Sequence, residues 1–140
     1  MLPILLAGSL LPTLCGTLSI LGDEQTVSVA GSLTCNGEPA EGVQISLVDI
    51  GLVTNSILAS GVTECGGYFE LYGSEKSVLN VLPRLIIEHN CNYESICKKK
   101  ITLKIPKDYV ARNGSEPKTY YVRRMNLGKD LESQHTSCFG

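Results

Sequence analysis

Between Val27 and Asp49 the chain alternates apolar and polar positions on both sides of a turn. Val27, Val29, Leu33 and Cys35 interleave with Ser28, Ala30, Ser32 and Thr34. Val43, Ile45 and Leu47 do the same with Gln44 and Ser46. A period of two turns one face of a strand into a core and the other to water, so two strands are predicted. The link Asn36-Gly37-Glu38-Pro39-Ala40-Glu41-Gly42 suits a turn. Asn and Gly accept positive φ there, and Pro offers no strand donor.

The same pattern continues downstream. Ile57 to Val62 reads as a strand that ends at the turn Glu64-Cys65-Gly66-Gly67. Phe69 and Leu71 then face one way, with Tyr68, Glu70 and Tyr72 the other. Between Arg84 and Asn90, Leu85, Ile87 and His89 alternate with Ile86, Glu88 and Asn90. Ile101, Leu103 and Ile105 point inward against Lys100, Thr102 and Lys104, up to Pro106. The last strand, Thr119 to Leu127, changes phase between Tyr120/Val122 and Met125/Leu127, which predicts a β-bulge at Arg123-Arg124. Helical periodicity is nearly absent; Ser74 to Leu82 allows one helical turn between Gly73 and Pro83. Six or seven short strands with Gly, Asn and Pro turns predict an all-β sandwich.

The 140 residues suit one domain, and a net charge of −2 lacks the basic stripe of a nucleic-acid binder. Leu2 to Gly22 carries no charged side chain and is rich in Leu and Ile. It reads as a secretory signal peptide over 1–22, leaving a domain over 23–140. Its start lacks Lys and Arg and its length approaches a bilayer span, so an uncleaved anchor is the alternative. Export would place the remaining Cys35, Cys65, Cys91, Cys97 and Cys138 where thiols pair. Two bridges among five cysteines can be drawn in fifteen ways.

The segments CNGEPAEGV, LASGVTECGGYFELYG, LIIEHNC, KKITLKIPKDYV and TYYVRRMNL, with a cysteine near the C-terminus, stand in a specific order. In that order the chain resembles the transthyretin-like family of nematode secreted proteins. The resemblance covers nearly everything after the apolar leader and implies two antiparallel sheets of the prealbumin type, with about seven strands. It matches Cys35, Cys91, Cys97 and Cys138 to the family's cysteines and leaves Cys65 as the extra thiol, free or a handle for a covalent homodimer. Cys91 and Cys97 flank a five-residue loop, so they are expected to bridge, leaving Cys35 for Cys138.

A related branch hydrolyses 5-hydroxyisourate with a first-strand His, an Arg, a second His and a Tyr-Arg-Gly-Ser tail. Here the first strand has no His, and the chain ends Ser137-Cys138-Phe139-Gly140. His89 shares a face with Leu85 and Ile87, which reads as a structural histidine; His135 reads as exposed. No Gly-x-Ser-x-Gly elbow or C-x-x-C pair is present. The expectation is a non-enzymatic chain without metal or cofactor.

Binding residues are easier to name. Lys98, Lys100 and Lys104 fall on one side of a strand. Such lysines usually protect a solvated edge; they also suit anionic phospholipid headgroups or sulfated glycans. Tyr120 and Tyr121 beside Arg123 and Arg124 form a second candidate, of residue types that anchor interfaces. Asn113-Gly114-Ser115 fits the N-glycosylation rule, with Asn113 as acceptor. The function expected is a secreted carrier or bridge for a hydrophobic small molecule, a lipid or a cell-surface protein. The alternatives are a matrix component and a diverged hydrolase. A cavity between the sheets would favour cargo; a packed interior would move recognition outside.

Overall fold

The computed structural model describes residues 22–52, 54–93, 95–129 and 134–138. The leader expected over 1–22, with Cys15, lies outside the described residues apart from Gly22. Seven strands of six residues or more carry the fold: β1 (Asp23–Cys35), β3 (Gln44–Asp49), β4 (Ser56–Val62), β5 (Tyr68–Ser77), β6 (Pro83–His89), β7 (Lys98–Lys104) and β9 (Thr119–Asn126). Three short ones join them: β2 (Glu38–Pro39), β8 (Ala111–Arg112) and β10 (Gln134–Ser137).

The strands form two sheets. In the first, β1 is central. The Leu33 N–H bonds to the Gly67 carbonyl and the Leu33 carbonyl accepts from Ala40, so β5 and β2 share one edge of β1. Leu127 N–H bonds to the Thr34 carbonyl on the other edge, where β9 and β8 lie. The second sheet runs β10-β7-β6-β3-β4 and is antiparallel throughout.

One pairing departs from the expected all-antiparallel arrangement: β9 runs parallel to β1. The cause is local. Strand β8 pairs antiparallel with Gln25 and Thr26. The turn at Asn113 and Gly114, with φ of 53° and 81°, then reverses the chain. It returns along the same edge of β1 in the opposite sense. The register of this pair slips between Gly31 and Leu33, opposite Val122 and Met125. Arg123 and Arg124 therefore both oppose Ser32, which is the bulge that the phase change predicts.

The helical turn expected within Ser74–Leu82 is not formed. Ser74 to Ser77 continue β5 and pair with Thr26 to Asp23, because β1 is long enough to template them. Beyond Leu127, Gln134–Ser137 add to the edge of β7.

Inward-facing side chains interlock between the layers. Ile101, Ile87 and Ile45 make one row across β7, β6 and β3, and Leu103, Leu85 and Leu47 the next. They pack in one core with Val27, Val29, Leu33, Phe69, Leu71 and Val122 of the first sheet. At Gly73 an added Cβ would sit 2.6 Å from the Leu58 carbonyl oxygen, so the absent side chain lets β5 close on β4.

Candidate functional site

The outer face of the first sheet holds a trough. Its floor is Ala30 and Ser32 on β1, small residues on the outward phase of the central strand. Ala30 lies opposite Glu70 on β5 and Tyr121 on β9. Ser32 lies opposite Tyr68, with Arg123 across from it at the bulge. The walls thus stand two strand spacings apart, roughly 9.6 Å. The trough encloses about 470 Å³. Tyr68 is 64% exposed and Tyr121 73%, large aromatic surfaces left uncovered on a folded sheet. Glu70 and Arg123 set opposite charges on the two walls.

This arrangement divides one candidate surface. Tyr121 and Arg123 border the trough, whereas Tyr120 turns the other way and packs edge-on against Tyr109, ring centroids 5.1 Å apart. Lys118 stands 5.0 Å from the Tyr109 ring centroid. Arg124 lies with Met125 and Leu103 in a groove along β9. Tyr68 and Glu70 were missed as site residues. Their outward phase was visible, but not that β1 would lie between them and Tyr121.

The outer face of the second sheet carries the lysines. Lys98, Lys100 and Lys104 share that side of β7, with Arg84 opposite Lys104. Glu88 lies opposite Lys100 and reduces the charge at the centre of the patch. Lys99 points to the other side, 5.4 Å from the Tyr93 ring centroid.

At the far end of β6 the cysteines depart from the expected pairing. Cys35 bonds to Cys91 and Cys97 to Cys138, with Cα separations of 5.8 and 4.1 Å. Cys65 is free and exposed. The Cys91–Cys97 and Cys35–Cys138 bridges are ruled out for a topological reason. Cys91 ends next to the end of β1, where Asn36 and Asn92 exchange two side-chain hydrogen bonds of 2.6 and 3.0 Å. Cys97 precedes β7, which pairs with β10 and so receives Cys138.

His89 sits inside this clasp at 2% exposure. Its Nδ1 accepts the Cys91 N–H at 3.0 Å, so Nε2 carries the proton and donates to Gln134 Oε1 at 2.9 Å. Burial holds its pKa below the ordinary value; the Gln134 acceptor opposes this, and Lys99 and Lys98 add to the lowering. The unfolded chain therefore takes up this proton first as pH falls. Stability is full above about 6.5 and declines below it until the folded-state pKa is passed. Urea melts across this window should show the decline in wild type and its loss in His89→Gln; equal slopes would refute the assignment.

Comparison with known proteins now bears on the whole arrangement. The model of the TTR-52 transthyretin-like family matches residues 30–106. Transthyretin-like protein 5 of Caenorhabditis elegans is 33% identical over 133 residues, spanning 92% of this chain and 95% of that protein. The chain belongs to the transthyretin-like family. Transthyretin-like proteins 2 and 33 of the same organism are 29% and 31% identical, over 87% and 81% of this chain and 88% and 82% of their own lengths.

In this transthyretin-like chain the hydrolase branch's first-strand histidine has no counterpart, since β1 reads DEQTVSVAGSLTC. Both ring nitrogens of His89 are engaged, and His135 lies on the exposed strand β10. Asn113 projects from the exposed turn between β8 and β9, with its own N–H bonded to the Glu24 carbonyl.

Proposed function

We propose that this transthyretin-like chain is a secreted, non-catalytic binding protein that bridges extracellular surfaces through its exterior. The trough carries the reading: exposed Tyr68 and Tyr121 with Glu70 and Arg123 over a floor of Ala30 and Ser32. Aromatic and Arg anchors of this kind dominate binding energy at interfaces. Two disulfides support residence in an oxidising compartment. An interior filled by interlocked aliphatic rows leaves recognition to the outside. The test is capture of partners from extracellular fluid on the immobilised protein. Tyr68→Ala/Tyr121→Ala should reduce the captured partner at least tenfold, since hot-spot aromatics contribute about 2 kcal/mol or more each. Undiminished capture overturns the reading.

A second reading rests on Lys98, Lys100 and Lys104 sharing an outer face with Arg84. Each basic side chain near an anionic bilayer is worth about 1 kcal/mol. The same experiment run with phosphatidylserine vesicles decides it. Binding that survives conversion of all three lysines to Glu excludes the basic face.

A further inference from the structure

The basic face ends in a groove. The start of β6 and the end of β7 form it with the segment that follows β7, enclosing about 470 Å³. Arg84, Lys104 and Lys107 all border it, against a single carboxylate, Asp108. Arg84 and Lys104 lie directly opposite each other across β6 and β7, with Val48 on the far side of Arg84. Like charges so placed oppose the pairing of their strands. Lys100 has Glu88 opposite it, but Lys104 has no such neutralising partner. Among the described residues none of the three cations makes an ion pair, with Asp108 or any other carboxylate. The whole chain carries a net charge of −2, so this concentration of positive charge is local.

The frame beneath the cations is fixed. Pro83 O accepts both the Ile105 N–H and Arg84 Nη1, each at 3.2 Å. That one carbonyl ties the segment after β7 to β6 and orients the guanidinium, whose other four N–H donors stay available. Ile105 is 2% exposed and anchors the segment in the core. The turn that carries Lys107 is closed by the Tyr109 N–H on the Pro106 carbonyl at 3.1 Å. Proline at 83 and 106 fixes a backbone angle on each side of the groove.

Three cations held together without a counter-charge match an anion from outside. We propose that this groove seats a sulfate ester of a sulfated polysaccharide, whose chain continues along β7 over Lys100 and Lys98. A sulfate ester turns three terminal oxygens outward, enough for the Arg84 fork and both ammonium groups to engage at once. A phosphodiester or a carboxylate turns out only two. Lys98, Lys100 and Lys104 share one side of β7 and span roughly 20 Å along the strand. A linear polymer follows that row and passes beside Glu88, whereas the anionic headgroups of a flat bilayer would also meet the Glu88 carboxylate. Asp108 repels an anionic chain on its own side and so directs it toward Lys100. This site rests on the basic face of the second reading, gives it a ligand class, and shares no residue with the trough.

The probe is a heparin hexasaccharide, titrated calorimetrically into the disulfide-bonded protein expressed from the full chain. One saturable site is expected, weakening as added NaCl screens the charges. A hyaluronan hexasaccharide, which carries carboxylates and no sulfate, should bind weaker by roughly tenfold or more. Arg84→Gln/Lys104→Gln should weaken heparin binding by roughly tenfold or more. The melting temperature should not fall, because this variant removes a like-charge pair. Lys98→Gln/Lys100→Gln removes the same charge from the open strand and should weaken binding only about threefold. Equal losses in the two variants mean diffuse attraction without a seat and overturn the proposal. So does the absence of a saturable site, or hyaluronan binding as tightly as heparin. Phosphatidylserine vesicles captured without a hexasaccharide site refute the polysaccharide and leave the lipid reading standing; failure of both ends the basic face as a binding surface.

Discussion

Replacing Cys35 and Cys91 together by alanine is expected to lower the unfolding free energy by about 4 kcal/mol. The bridge closes a loop with a sequence separation of 56, and chain entropy alone gives a cost of that size. Domains of this class are stable by only about 5–15 kcal/mol, so the melting temperature should fall by more than about 10 °C. The bridge at Cys97–Cys138 closes a loop of similar length, with a separation of 41. Loop length therefore does not separate the two. What each holds does. Cys35–Cys91 ties the end of β1 in the first sheet to the end of β6 in the second, with the Asn36–Asn92 pair lying across the same junction. Cys97–Cys138 secures only β10, a four-residue edge strand. Guanidinium melts should show the larger loss for the first pair. Hydrogen exchange should show opening of β10 and its β7 partners for the second. A loss under 1 kcal/mol for Cys35/Cys91 would mean that the sheets hold together without it.

Ile87→Ala should cost about 2–5 kcal/mol, while Ile86→Ala, one residue away, should cost about 1 kcal/mol or less. Ile87 is fully buried between Ile45 and Ile101, which flank it on β3 and β7. Truncating the middle of such a row leaves a cavity that rigid strands on both sides cannot close. Ile86 sits on the outer face between Ser46 and Thr102, half-exposed. Urea denaturation of the two variants measures the difference. Equal costs would place β6 out of register by one residue, since a single slip exchanges the two faces.

That contrast also shows what the sequence could tell. Period-two patterning reports which face of a strand is buried, and Ile87 against Ile86, or Phe69 against Tyr68, follow from it directly. The bulge at Arg123-Arg124 was legible for the same reason: an extra residue shifts the phase of everything after it. Pairing between strands leaves no such local trace. Nothing in Thr119 to Asn126 says that it lies parallel to β1, because that follows from the reversal at Asn113-Gly114. The cysteine partners depend on pairing too. The loop between Cys91 and Cys97 has the length for a bridge, but β1 and β10 bring nearer sulfurs to each. Ser74 to Ser77 read as the start of a helical turn, and β1 recruits them by strand pairing together with the Thr26–Ser74 and Gln25–Ser77 hydrogen bonds. The trough was hidden for a related reason: its walls are on β5 and β9, and only β1 between them makes Tyr68 and Tyr121 neighbours.

Cys65 gives the molecule a chemical address. Its sulfur is the unbridged thiol of the described residues and faces solvent on the turn before β5, beside Glu64, which borders the trough. Maleimide dye coupled there stands on the lip of the aromatic site. Strand β5 then runs ten residues, roughly 33 Å, to the opposite pole of the sandwich. Fluorescence from a dye at that position can report occupancy of the trough while staying blind to events at the far end.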